Sequence, residues 1–341
     1  MSIPETTEIM PCHDLVNEIP EFTQVLRLWP LGSYLHSKRL TAGRNNESIH
    51  LRTTEGDYVL RRSRASKTTE ALAFEHGLIA HLRQQGFPVP EIILSLAGLT
   101  WESCGGRLWM VSRFIVGDQL IRDEKSAILA GAILARFHVA MAVFKPDISV
   151  LPKFNRIVEI QSILAACEDH PALKAEFSSL ILRSRQATQK TAEMLELSAK
   201  GLPKTVIHGS CRLTSLLMQD NQIVALLDMD SARCGSHAED IAIALASFAK
   251  CRTGTAAVDA IMANSFLNAY EAILPIESAE AEAIPAYLAQ TLLFHWLKAM
   301  ERSLVSSPYD FEQIAKVQWR LLSAEHAICN PQQIISLLPA H

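Results

Sequence analysis

Alternation with a period of two opens the structured part of the chain. Ile49 and Leu51 alternate with His50 and Arg52 between Ser48 and Thr53, and Glu55-Gly56-Asp57 supplies a tight turn. Tyr58-Val59-Leu60-Arg61-Arg62 reads as the returning strand. The period then lengthens. Leu72, Ile79 and Leu82 fall at helical spacing, which predicts an amphipathic helix from Thr68 to Gln85 with Glu75 on the same stripe. Pro88 and Pro90 close that helix, because proline cannot continue one. Two more strands are predicted, Glu91 to Ala97 and Leu108 to Phe114, joined through Gly105 and Gly106. The first residues, to about 24, show little periodicity and read as a leader, and Pro30 to Leu40 is ambiguous between helix and strand.

Past residue 118 helical spacing takes over. Leu134, Phe137, Met141 and Phe144 mark a helix over Glu124 to Phe144. Further helices are predicted at Ala172 to Ser198, Val258 to Leu274, Ala279 to Ser303 and Phe311 to Cys329. One stretch breaks this pattern. A short strand, Thr205 to Ile207, enters a polar loop from His208 to Thr214. Two apolar runs follow, Ser215 to Met218 and Ile223 to Leu227, parted by the turn residues Asp220 and Asn221, a hairpin signal. The second run ends in a carboxylate, Asp228. A further helix starts near Glu239, where Asp240 fits a cap. The pattern predicts an α+β fold, with an antiparallel sheet and one helix before residue 115 and a mostly helical region after 118.

Composition narrows the class. At 341 residues the chain suits two domains or one large two-lobed domain, and 49% hydrophobic residues suffice for a sizeable core. A net charge of −4 argues against nucleic acid held by bulk electrostatics. No run of 18 apolar residues exists, so no membrane span is expected, and Met1 to Met10 lacks the basic and apolar regions of a signal peptide. The 7 scattered cysteines form no Cys-x-x-Cys pair and read as reduced cytoplasmic thiols, mostly core filler.

The loop, hairpin and strand-end acid carry a resemblance. His208-Gly209, the hairpin, Asp228 and Asp230 are similar to the catalytic core of the aminoglycoside phosphotransferase, choline kinase and type II homoserine kinase group, small-molecule kinases with a protein-kinase-like fold. The resemblance spans roughly Leu40 to Ser247. It implies an N-lobe over 25–114, a hinge at 115–118 and a helical C-lobe over 119–341. It also implies ATP and Mg²⁺ as cofactors and a small hydroxyl compound as acceptor, such as an amino alcohol, amino acid or sugar. Gly43 would lie in the phosphate-covering loop, Arg61 would hold phosphates while paired with Glu75, and Ile115 would lie at the adenine edge. Arg62 and Glu70 are the alternatives if the strand register slips by one, and an ordinary stabilising ion pair is the alternative to a phosphate grip. Asp228 would bind the metal, and Asp240 would steady the loop.

Two positions depart from the group. Ser210 stands where the catalytic Asp is expected, and Ser215 where a metal-binding Asn is expected. A serine hydroxyl holds its proton too tightly to act as a base near neutral pH, and Ser215 offers only a weak metal ligand. Phosphoryl transfer depends mainly on positioning and charge neutralisation, so two readings stay open: a phosphotransferase of weak or altered activity, and an inactive pseudokinase that binds nucleotide or a small ligand. Cys211, beside the loop, lacks the His–acid relay that a nucleophile needs. His138 reads as a buried, satisfied histidine.

Overall fold

The computed structural model describes residues 19, 21–40, 46–146, 155–304 and 311–338. They divide into two compact units, one reaching to Gly117 and including Val224–Leu226, the other comprising Asp118–Ile223 and the chain from Leu227 onward.

The first unit is built on an antiparallel sheet of β1 (Tyr34–Leu40), β2 (Glu47–Thr53), β3 (Gly56–Arg62), β4 (Ile92–Ile93), β5 (Glu102–Cys104) and β6 (Arg107–Arg113). The strand order is β1-β2-β3-β6-β4, with β5 also on β6. Alternation decides the faces. Ile49, Leu51, Tyr58, Leu60, Trp109 and Val111 are buried together, covered by Ile19, Phe22, Val25, Trp29 and Leu31. The leader expected to reach residue 24 therefore ends earlier, since Ile19 and Phe22 are core residues. The helix that holds Phe22, Phe22–Leu26, has five residues, too few to register as a period. Trp29 Nε1–H donates to the Ile93 carbonyl at 3.0 Å and ties this segment to the sheet.

Helix Thr69–Gln84 buries Leu72, Glu75, Leu78, Ile79 and Leu82, the stripe its spacing implies, and Thr68 caps it by accepting the Ala71 N–H. The ambiguous stretch before residue 40 is β1, and the strand expected from Glu91 to Ala97 shrinks to Ile92–Ile93. There the Ser95 hydroxyl accepts the N–H groups of Ala97 and Leu99, which turns the backbone away from the sheet.

The second unit is helical. Its longest apolar element, Ser278–Ser303, buries Leu292, Leu293, Trp296, Leu297 and Met300. It packs against helices Arg156–Asp169, Pro171–Ser198, His237–Phe248 and Trp319–Cys329. Helix Glu124–Met141 crosses Ala260–Glu271 at Gly131, where a Cβ would lie 2.1 Å from the Phe266 carbonyl oxygen. Helix Arg156–Asp169, capped by Asn155, is not foreseen from the pattern. The single helix expected over Phe311 to Cys329 divides at Gln318, whose N–H bonds the Ala315 carbonyl in the tighter i→i+3 spacing. Short strands carry the loops: β7 (Asp118–Gln119), β8 (Thr205–Ile207), β9 (Leu216–Gln219) and β11 (Arg233–Gly235), while β10 (Gln222–Leu226) has Val224–Leu226 in the first unit. Strand β8 pairs antiparallel with β11, and β7 with β9. Of the six described cysteines, Cys104, Cys167 and Cys211 are buried, Cys234 and Cys251 are half-buried and Cys329 is exposed, so core filling accounts for three.

Candidate active site

Strand β8 delivers His208 and Gly209 to a buried carboxylate. Asp240 Oδ2 accepts the His208 N–H at 2.7 Å, and Oδ1 accepts the Gly209 N–H at 2.9 Å. The cap of helix His237–Phe248 is Ser236, so Asp240 serves the loop and not the helix end. Its third partner is His138, whose Nε2–H donates at 3.1 Å while Nδ1 accepts the Tyr270 hydroxyl at 2.7 Å. His138 is thus buried and satisfied. Burial holds its imidazole below the usual histidine range, against the pull of Asp240. Burial alone would raise the Asp240 carboxyl, but the His138 bond and charge and the loop N–H groups hold it low.

His208 ties the loop to the end of the hairpin. Its Nδ1 accepts the Ser210 N–H at 3.2 Å and its Nε2–H donates to the Leu227 carbonyl at 2.9 Å. Both ring nitrogens are therefore engaged, and burial holds the imidazole neutral. Gly209 is required by its backbone: φ is +72°, and a Cβ would lie 2.4 Å from the Ser231 carbonyl oxygen. The hairpin turns on Asp220 and Asn221, both left-handed at φ 50° and 65°, which suits a type I′ turn. Asp228 follows Leu227 with φ 63° and ψ 46°, a left-handed conformation that costs a non-glycine residue about 1–2 kcal/mol, though Asp and Asn adopt it more readily than most.

Ser210 is buried, and the Arg212 guanidinium donates to its hydroxyl oxygen at 2.8 Å. Ser215, also buried, closes the turn. Its hydroxyl donates to the Arg212 carbonyl at 2.8 Å and accepts the Arg212 N–H at 2.7 Å. The Ser215 proton is spent on the backbone, which leaves the oxygen at most one free lone pair. Cys211 is wholly buried, and burial pushes its thiol well above the usual range.

In the first unit, Glu75 is 1% exposed and pairs with two cations, Arg61 and, at 2.8 Å, Lys67. Burial pushes its carboxyl up, yet Arg61 and Lys67 outweigh that and bring it down to about 2. The strand register settles the alternatives. Arg62 pairs with Glu47 at 2.7 Å instead, and Glu70 is exposed. Lys67 is not anticipated from the sequence; the available signal was a second base just before a helix whose buried stripe contains an acid. Beside Glu75, burial lowers the His76 imidazole to about 4. Ile115, two residues beyond β6, is half-buried. Gly43 lies outside the described residues.

An antiparallel sheet with one ion-paired helix, and a helical unit carrying the loop and hairpin, make the two-lobed α+β fold of protein-kinase-like phosphotransferases. The profile of the phosphotransferase enzyme family, APH, matches residues 36–320, and the chain belongs to that family. A homoserine kinase of Methylobacillus flagellatus is 26% identical over 327 residues, covering 93% of this chain and 95% of that one. Among solved structures, a microcompartment-associated aminopropanol kinase superposes with a TM-score of 0.72 at 16% identity, covering 93% of this chain and 98% of the other. Amicoumacin kinase hAmiN, in complex with AMP-PNP, Ca²⁺ and Ami, gives 0.70 at 14% identity, with 92% and 96% covered. Among the described residues no helix is long and apolar enough to cross a membrane.

Proposed function

We propose that this chain binds ATP with Mg²⁺ and transfers the terminal phosphoryl group to the hydroxyl of a small molecule, an amino alcohol, an amino acid or a sugar-like compound. In that transfer the acceptor oxygen bonds to the γ-phosphorus, the bond from that phosphorus to the β,γ-bridging oxygen breaks, ADP leaves, and the hydroxyl proton is released. The observation that carries this reading is Glu75, buried between Arg61 and Lys67. A carboxylate is expensive to bury unless it is paired, and here its pairing fixes two cations in place before any phosphate arrives. Arg61 is assigned to the phosphates, with Lys67 beside it, and Gly43 and Ile115 to the nucleotide.

Asp228 is assigned to the metal. Among the described residues no three His, Cys, Asp or Glu side chains gather to hold a metal unaided. That suits Mg²⁺ at a phosphate site, which takes one or two carboxylates and fills its shell with phosphate oxygens and water. When bound it would neutralise charge on the phosphates. Ser215 has little left to offer as a ligand, its proton being engaged by Arg212. Ser210 positions through its hydroxyl and supplies no base, a loss worth roughly 10²- to 10⁴-fold in rate, or about 3–5 kcal/mol of barrier.

A second reading, a nucleotide binder without turnover, is favoured by the engagement of both serines with Arg212. Two measurements separate them. ATP with Mg²⁺ raises the melting temperature under either, by mass action. ADP formation dependent on an acceptor, with homoserine and aminopropanol heading the panel, occurs only under the first. No thermal shift with ATP and Mg²⁺ defeats both.

A further inference from the structure

The turn between β3 and helix Thr69–Gln84 is pinned along its length. The Ser63 carbonyl accepts the Arg107 Nε–H at 2.8 Å, and the Arg64 N–H donates to Asn46 Oδ1 at 3.1 Å. The Lys67 N–H then closes on the Arg64 carbonyl at 3.0 Å. Lys67 stands one residue before the Thr68 cap, where a helix N-terminus repels a cation. Its side chain nevertheless runs inward, and its ammonium donates to Glu75 Oε2 at 2.8 Å, two turns into the helix.

The carboxylate is shared oxygen by oxygen. Arg61 takes Oε1 and Lys67 takes Oε2. The two cations are placed unequally: the Lys67 side chain is 5% exposed and that of Arg61 15%, so Arg61 is the more accessible. The other titratable neighbour is His76, next to Glu75 on the same helix, and burial lowers its imidazole to about 4, so it is neutral at neutral pH. Against burial, which raises the Glu75 carboxyl, the charges that hold it low are therefore Arg61 from the strand and Lys67 from the turn. A phosphate that draws the Arg61 guanidinium away removes one of the two. With Arg61 as the sole partner, that step would strand a carboxylate that is 1% exposed, and breaking a buried pair is strongly unfavourable. Lys67, on the second oxygen, keeps it compensated.

We propose that Lys67 is a positioning residue, the resident counterion of Glu75 that lets Arg61 turn to the nucleotide phosphates without leaving a bare charge behind. The proposal rests on the phosphotransferase reading, which supplies the phosphates. Lys67 acts through Glu75 and does not itself grip the nucleotide.

Calorimetric titration of the full chain with ATP and excess Mg²⁺, repeated at neutral pH in buffers of different ionisation enthalpy, reads affinity and proton uptake together. Wild type is expected to bind without taking up a proton. Lys67→Met keeps the stem and loses the charge; it should bind roughly tenfold more weakly or worse, and take up a proton on Glu75 or His76 as ATP binds. Lys67→Arg, which keeps the charge, should restore the affinity and abolish the uptake. In a Glu75→Gln background no charge needs compensating, so adding Lys67→Met should cost little further affinity. A full loss persisting in that background means that Lys67 holds the phosphates directly and overturns the proposal. Wild-type affinity in Lys67→Met, or a loss without proton uptake, overturns it too. Where Lys67→Met alone does not fold, the double variant, which buries no bare carboxylate, still decides against Glu75→Gln, and proton uptake by wild type would overturn the proposal without any variant. Failure of wild type to bind ATP with Mg²⁺ at all defeats the kinase reading and this one together; each of the other adverse outcomes leaves the kinase reading standing.

Discussion

Asp240 Oδ2 accepts the backbone N–H of His208 at 2.7 Å, a bond that joins the loop to a helix 32 residues later. With the Gly209 N–H and the His138 ring it gives the carboxylate three donors in a wholly buried place. Asp240→Asn presents an amide N–H₂ to one of those donors. It should destabilise the protein by about 3–5 kcal/mol, the scale seen when one side of a buried charged network is removed. Urea unfolding measures this, and a loss under 1 kcal/mol would show that the loop stands without Asp240.

Glu75 makes stability depend on acid. Its carboxyl titrates at about 2 when folded, against an ordinary value of 4.5. A lowered folded value means that its contribution is whole above pH 4.5, fades as the pH falls toward 2 and is gone below. The contribution is on the order of 3 kcal/mol. Glu75→Gln should lower stability at neutral pH, and the gap to wild type should close between pH 4.5 and 2. A gap independent of pH would place the effect in packing.

Asp228 separates strain from function. Its φ of 63° favours glycine, so Asp228→Gly should be more stable than Asp228→Ala by about 1 kcal/mol. Both remove the carboxylate, and both should lose the magnesium-dependent part of the thermal shift with ATP. A full shift in either variant would take the metal away from this residue.

Thiol reactivity should sort by environment. Burial raises the Cys251 thiol, but bonds from Thr253 and Thr255 outweigh it and bring it to about 7. Burial instead pushes Cys167 up to about 12 and Cys211 higher still. Iodoacetamide followed by peptide mass spectrometry should label Cys251 with a rate rising through pH 7, and leave Cys167 and Cys211 unlabelled in the native protein. Prompt native-state labelling of Cys211 would contradict the closed loop described above.

Much of this fold is visible in local order. The period-two run at 48–62, the stripe Leu72, Glu75, Ile79 and Leu82, and the turn pair Asp220-Asn221 each depend on neighbours a few residues away, and the sequence shows them directly. Phe22 in the core, the collapse of the expected 91–97 strand and the break at Gln318 were not visible, because short elements take their conformation from what packs on them. The same division runs through the site. The sequence by itself determined that His208-Gly209, a hairpin and Asp228 stand in a row, with serines at 210 and 215. Only the tertiary structure decided that Lys67 joins Arg61 on Glu75, that Asp240 holds the loop and not its own helix, and that Arg212 turns its guanidinium to Ser210. Those are meetings of side chains that no local period encodes, since a charge finds its partner through space and not along the chain.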